Sequence, residues 1–266
     1  MVILTCGLSR AQRGHVAEGL RRADCTFVET FGELERVLPT CPTCDALIVA
    51  PRDHQQRDAV DVVRCVAREW PGTAIVVFCP PRTDNAVSFR DLALAGAHQF
   101  VFEGMHNTAA SLAAAVEYAC HASSADVVLQ RLERLVPLDL HSIVHVVLSR
   151  PDTLTTVDQV AAALGVHRKT LVNRCARAGF IRPAELIMWC RLALVAYSLG
   201  RSGATVEAIA HSLGFASHTA LRNLLKRHSG KRATDIRGGG GLPVLMEAFS
   251  ARLGNPSAVS EALPIM

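Results

Sequence analysis

Lysine is nearly missing from this chain of 266 residues: of its 28 basic residues only Lys169, Lys226 and Lys231 are lysine. Long apolar runs are missing as well. Val2–Cys6 is too short for a secretory core or a membrane span, and the apolar stretch from Leu186 to Leu199 is interrupted by Arg191, so it reads as a buried helix. These absences argue against a secreted or membrane-embedded protein and lead us to expect a cytoplasmic one. No Gly-rich phosphate loop, nucleophile elbow or supported carboxylate pair occurs, so an enzyme ranks last and no cofactor is expected. The nine cysteines are an odd number without an export signal, which fits reduced thiols rather than a disulfide framework.

What is present is globular: half the residues are apolar and a fifth charged, in a chain long enough for two or three domains. The net charge of +4 is unevenly divided. Thr153 to Arg237 holds 13 basic and 4 acidic side chains, a balance of +9, against −5 for the remainder. Such asymmetry suits a polyanion-binding module joined to a neutral or acidic partner domain, although a basic helical bundle can show it with no polyanion partner.

The first 120 residues alternate strand and helix. Short β-branched or aromatic runs at 2–6, 26–29, 46–50, 74–78 and 99–102 predict parallel strands covered on both faces. Between them, Ala59, Val62, Val63, Val66, Ala67 and Trp70 follow helical spacing up to Pro71-Gly72. The expectation is an α/β domain over 1–121, flavodoxin-like, with a doubly wound parallel five-stranded sheet. A helical linker at 122–137 then leads to an all-α domain at 138–237 with two helix-turn-helix motifs. Gly238 to Gly241 opens a glycine-rich, flexible tail at 238–266 with one weak helical patch near 245–253.

Two small constellations carry less. Cys41-Pro-Thr-Cys44 is a Cys-x-x-Cys without a second ligand pair, and it precedes a strand instead of opening a helix. His141 and His145 lie one helical turn apart without a third ligand. No metal is expected at either place, and His211 is expected on a helix surface.

The strongest signal is an internal repeat. Residues 156–166 (TVDQVAAALGV) align, 49 positions on, with 205–215 (TVEAIAHSLGF), five of eleven identical. In each copy a threonine caps a helix and an acid follows in its first turn. Val160 or Ile209, Ala161 or Ala210, and Leu164 or Leu213 form its buried face. Gly165 or Gly214 turns the chain, and Val166 or Phe215 plugs the corner before a polar helix begins. That is a helix-turn-helix pattern, whose second helix suits a DNA major groove. One copy is a weak signal, since any glycine-turned helix corner can imitate it. Two copies joined by a helix from Pro183 to Leu199, a rod of roughly 24 Å, suit the ~34 Å separation of successive major grooves.

Residues 138–237 accordingly resemble the DNA-binding domain of the AraC family of transcription regulators. The resemblance rests on Leu171-Val-Asn-Arg-Cys-Ala-Arg-Ala-Gly179, on Pro183-Ala-Glu-Leu-Ile187 with Arg191-Leu-Ala-Leu194, and on 209–215 followed by Leu225-Lys-Arg227 and Gly230. It departs from the family at Ser229, where an aromatic residue is usual, and near Ala233, where proline is usual. It implies base- or phosphate-facing side chains at Arg168, Lys169, Thr170, Asn173 and Arg174 in the first unit. In the second it implies Ser217, His218, Thr219, Arg222 and Asn223, with Lys226 on a phosphate. About half of these are expected to touch nucleic acid, the rest forming a solvated helix face. The implied partners are double-stranded DNA and a second copy of the chain in a homodimer, with RNA polymerase as a further candidate and no membrane. A signalling module whose helical half binds protein is the alternative.

The N-terminal domain resembles a response-regulator receiver, chiefly in Asp45-Ala-Leu-Ile-Val-Ala50 and Ala95-Gly-Ala-His-Gln-Phe-Val-Phe102. Where that family carries metal-binding acids, a phosphoacceptor aspartate, a hydroxyl and a lysine, this sequence has Thr5-Cys6-Gly7, Ala50, Cys79 and Glu103. Asp53 falls in the loop after the third strand and is set aside. The implied domain is a degenerate receiver, regulatory or dimerising without aspartyl phosphorylation.

Overall fold

A computed structural model describes residues 1–41, 43–80, 89–104, 109–201 and 203–254. The chain divides into two units, Met1–Asp126 and Val127–Met266.

In the first unit β1 (Val2–Cys6), α1 (Arg10–Gly19), β2 (Asp24–Val28), α2 (Phe31–Val37), β3 (Ala46–Val49), α3 (Val60–Glu69), β4 (Ala74–Cys79), α4 (Phe89–Ala95) and β5 (Gln99–Phe102) alternate, followed by α5 (Ala109–Leu132), which continues into the second unit. The strands pair in parallel in the order β2-β1-β3-β4-β5, the doubly wound, flavodoxin-like arrangement. Strands β3 and β4 are buried at every position, so their unbroken apolar runs pack on both faces. One face carries Phe31, Leu34, Val63, Val66 and Leu92 from α2, α3 and α4; the other carries Val16 from α1 and Leu112, Val116 and Ala119 from α5. Side-chain caps set two of the helix starts. Ser9 and Gln12 form a reciprocal capping box on α1, and Thr30 accepts the Glu33 amide on α2.

The second unit continues with α6 (His141–Ser149), α7 (Val157–Ala163), α8 (Arg168–Arg177), α9 (Pro183–Arg201), α10 (Val206–Ser212), α11 (His218–Ser229), α12 (Ala233–Gly238) and α13 (Leu242–Gly254). Helix α9 is its axis, buried on nearly every side from Leu186 to Ala196 and touched by α6, α7, α8, α10, α12 and α13. A helix apolar all round is stable only when encased in this way.

One sequence expectation, the flexible tail, needs correction, and two others gain detail. The linker expected at 122–137 is partly core: Val128, Leu132 and Val136 are buried. The tail expected from 238 is instead a folded helix as far as Gly254, with Leu242, Leu245 and Phe249 buried; residues 255–266 lie outside the described residues. Its glycines serve close packing. A Cβ on Gly241 would collide with the Ala196 carbonyl, and one on Gly200 would lie 2.7 Å from the Gly240 carbonyl. Asp53 does lie in the loop after β3, yet it is 2% exposed. Its carboxylate accepts the amides of Phe31, Gln55 and Arg57 at 2.9, 2.9 and 3.0 Å. Burial raises its pKa, but those amides and the Arg57 charge outweigh this and hold it below the usual range.

Candidate nucleic-acid interface

The two copies of the repeat are built by the same local chemistry. Thr156 accepts the Gln159 amide and Thr205 the Ala208 amide, opening α7 and α10. Gly165 and Gly214 both take φ +65°. Their amides donate to Ala162 and His211, and the next amides reach further back, Val166 to Ala161 at 3.0 Å and Phe215 to Ala210 at 2.8 Å. These paired bonds end each first helix with a left-handed glycine. The second helices then start on their own caps: His167 Nδ1 accepts the Lys169 amide, and Ser217 Oγ accepts the Ala220 amide.

The copies differ by one residue. The 49-residue offset holds through Val166 and Phe215, but the caps His167 and Ser217 are 50 apart, because Ala216 lengthens the second turn. The buried pairs follow the new offset, Leu171 with Leu221 and Cys175 with Leu225. In this register the exposed faces are Lys169, Val172, Asn173, Ala176 and Arg177 on α8, and Thr219, Arg222, Asn223, Lys226 and Arg227 on α11.

That register sorts the eleven side chains implied by the sequence. Lys169, Asn173, Thr219, Arg222, Asn223 and Lys226 lie on the exposed faces, whereas Thr170, Arg174 and His218 are half-buried at the flanks. Ser217 is exposed but engaged as a cap. Arg168 is exposed and paired with Asp158 at 3.0 Å; with both partners mostly in water, such a pair contributes about 0–1 kcal/mol and exchanges readily for another anion. Neither α8 nor α11 contains an acid, so each presents a cationic face. His211 is exposed, as expected.

Sequence reasoning missed what holds the second corner in place. Arg191, read as an interruption of an apolar helix, is 4% exposed. Its Nε donates to the Pro151 carbonyl at 2.8 Å, and its Nη2 to those of Leu213 and Gly214 at 2.8 and 3.3 Å. The guanidinium lies 4.1 Å from the Phe215 ring centroid. A planar five-donor cation is suited to collecting several carbonyls while stacking on an aromatic face. Only a lone arginine in an apolar helix could have signalled this role. The departure at Ser229 is handled locally as well. Ser229 Oγ donates to the Leu225 carbonyl and accepts the Lys231 amide, Gly230 turns at φ +69°, and Asp235 takes the Arg232 amide at the start of α12.

The two histidines are engaged by neighbouring groups. His145 Nε2 is 3.0 Å from Glu133 and His141 Nε2 is 2.9 Å from the Val136 carbonyl. Cys44 is buried and Cys41 half-buried, while Pro42 lies outside the described residues. Cys6 and Cys79, at the ends of β1 and β4, are pushed up to about 12, in each case chiefly by burial.

Residues 160–239 match the family model of a helix-turn-helix domain. A protein named an AraC-like transcription regulator, from Streptomyces antibioticus, is 37% identical over 82 residues. The segment at 160–239 is thus similar to an AraC-type helix-turn-helix domain. The match covers 31% of this chain and 27% of the Streptomyces protein, so the chain spans about a quarter of that relative's length. Solved structures with looser similarity include a response regulator receiver domain protein from Clostridium thermocellum, at 17% identity and TM-score 0.39 over 46% of this chain and 94% of that one. RcsB from Salmonella enterica serovar Typhimurium bound to a promoter is another, at 13% identity and TM-score 0.37 over 70% and 97%. Among the described residues, no helix is long and apolar enough to cross a membrane.

Proposed function

We propose that this chain is a sequence-specific, DNA-binding transcription regulator whose helices α8 and α11 enter successive major grooves. One observation carries the reading: two acid-free helices with exposed faces each follow the same left-handed glycine turn, and both copies of the motif pack on the buried helix α9. At 19 residues, α9 is about 28 Å long, close to the ~34 Å between neighbouring grooves. Arg222 is placed to fork onto guanine and Asn173 and Asn223 onto adenine, while Lys169, Lys226, Arg168 and the hydroxyls of Thr219 and Ser217 suit phosphates. Arg174, Thr170 and His218, at the flanks, reach backbone only.

The test is selection from random duplexes, followed by binding of the selected site. Arg222→Ala should weaken it about 10- to 100-fold, the range for loss of a forked base contact. Arg168→Ala should weaken all sequences alike. If neither substitution changes binding, the helices are misassigned. A preference for no sequence, with little salt dependence, favours the protein-binding alternative.

The first unit, on this reading, regulates or dimerises without aspartyl phosphorylation. Ala50 follows β3 with no carboxylate, and Asp53, the nearest acid beyond it, already accepts three amides. Incubation with acetyl phosphate and Mg²⁺ should leave the mass unchanged; a stoichiometric, acid-labile adduct would overturn this. Sedimentation of the full chain tests the dimer.

A further inference from the structure

The likeness to known helix-turn-helix domains ends at residue 239, and α13 begins three residues later. We infer that α13 is a positioning element: it locks the exit of α8 and the last turn of α11 onto α9, and so fixes the register between the two recognition helices. The inference rests on the two-groove reading above and adds residues that the family likeness does not cover.

Helix α13 runs antiparallel along α9. Its start is seated at the Gly241 crossing beside Ala196 and Gly200, and its end is tied to Glu185 in the first turn of α9. There Arg252 Nε and Nη2 donate to the two carboxylate oxygens of Glu185 at 2.9 and 3.3 Å, with both side chains about 15% exposed. A two-point fork that is mostly shielded from water is stronger and more directional than an exposed pair.

Between those ends Phe249, fully buried, joins three parts of the unit. Its ring lies edge-on to Phe180 at 6.5 Å, immediately after the Gly179 turn that ends α8. On the other side it lies 4.8 Å from Trp189 of α9, which in turn meets His228 in the last turn of α11 edge-on at 5.8 Å. Trp189 is fully buried, and its Nε1 has no hydrogen-bond partner among the described residues, so ring packing holds it there. The line Phe180–Phe249–Trp189–His228 therefore couples both helix-turn-helix copies through one side chain of α13. Edge-to-face ring pairs constrain relative orientation as well as burying area.

If α13 sets register, loosening it should weaken simultaneous engagement of two grooves while leaving each single-groove contact intact. The full-length chain and its Phe249→Ala and Arg252→Gln variants would be measured on a selected duplex and on the same duplex with one half scrambled. The expected result is a fall in the two-half to one-half affinity ratio of about tenfold for Phe249→Ala and about threefold for Arg252→Gln, with one-half affinity unchanged, because linked binding depends on geometry that permits both contacts at once. Equal losses on both duplexes, or no loss, would overturn the proposal. Hydrogen exchange of the free protein tests the clamp without DNA. Phe249→Ala should speed exchange at 180–182 and 225–229 and leave 157–163 and 206–212 as they are. Unchanged exchange at the first two segments refutes the clamp even if the wild-type chain selects no duplex, an outcome that would separately refute the DNA reading.

Discussion

Gly165 and Gly214 offer a matched pair of perturbations. They occupy the same place in two copies of one motif, at the same φ of +65°, and differ in what surrounds them. A Cβ on Gly165 would meet nothing, whereas one on Gly214 would lie 2.7 Å from the Asp152 carbonyl oxygen and 3.0 Å from its Cα. Alanine at 165 should thus cost only the left-handed penalty of about 1–2 kcal/mol. At 214 the same penalty is joined by a clash with main chain, which has to retreat by several tenths of an ångström. That main chain is anchored, because the neighbouring Pro151 carbonyl is held by Arg191. Overpacking of this kind adds about 1–3 kcal/mol, for a total near 3–4 kcal/mol. The assay is urea unfolding followed by tryptophan emission. The two tryptophans fall one to each unit, Trp70 and Trp189, so a Trp70→Phe background reports the second unit alone. With a slope of about 2 kcal/mol per M, the midpoints should fall by about 0.7 M for Gly165→Ala and about 1.7 M for Gly214→Ala. Asparagine at 165, which tolerates the left-handed region, should recover part of the loss. Equal shifts at the two sites would refute the argument from packing against Asp152.

Arg191→Met removes a cation that satisfies three carbonyls and stacks on Phe215, and should cost about 3–5 kcal/mol in the same assay; a loss below about 1 kcal/mol would show that the carbonyls find other partners. Burial lowers the pKa of His228, with Arg227 and Arg252 adding to the effect and Glu185 opposing it, and burial likewise lowers that of His98 against Asp126. Each histidine thus binds a proton more readily in the unfolded chain, so its contribution is complete above about pH 6.5 and is lost as pH falls through the unfolded and then the folded value. Urea midpoints should accordingly drop between pH 7.5 and 5.5, and His228→Gln should flatten the Trp189-reported part of that drop. With about six phosphate contacts, affinity for a selected duplex should fall about 10³-fold between 50 and 200 mM salt, and a shallow dependence would argue against groove binding. Replacing thymine by uracil throughout the half-site read by α8 should weaken wild-type binding and leave Val172→Ala unaffected, because a valine exposed on that face is suited to a thymine methyl.

The sheet was legible because parallel strands covered on both faces read as unbroken apolar runs, and each of the five expected runs coincides with a strand to within two residues. The corners were legible because a capping threonine, a small buried residue and a left-handed glycine recur in fixed order. Other features were hidden for identifiable reasons. A run of four glycines ordinarily ends structure, and nothing local reveals that Gly241 is instead a point of main-chain contact with α9. The extra residue at Ala216 falls where the two copies no longer share identities; only burial of Leu221 and Leu225 exposes the slip. Asp53 looks like any loop aspartate until the Phe31 amide, 22 residues away, is brought to it. Arg191 could be read as an interruption because its partners lie 22 to 40 residues distant.

The corrected register also bears on how the two recognition helices share the work. At equivalent positions α8 presents Val172 and Ala176 where α11 presents Arg222 and Lys226, and Asn173 matches Asn223. The helices thus share one amide for base edges but not the cations beside it. Arg222 and Lys226 bring hydrogen-bond donors to the centre of the α11 face, where forked base contacts and phosphate contacts can form together. On the exposed face of α8 the charge lies at the ends, at Arg168 and Lys169 and at Arg177, and apolar Val172 and Ala176 flank Asn173 between them, with Arg174 half-buried to one side. On the proposed reading, α11 supplies the larger share of base discrimination, and α8 selects through shape and apolar contact while its two ends grip the backbone. A face of that kind depends on being set at the right depth and angle, since it has few long donors with which to compensate for misplacement. That makes the seat of α8 on Phe180 and Phe249 matter more than its own sequence suggests.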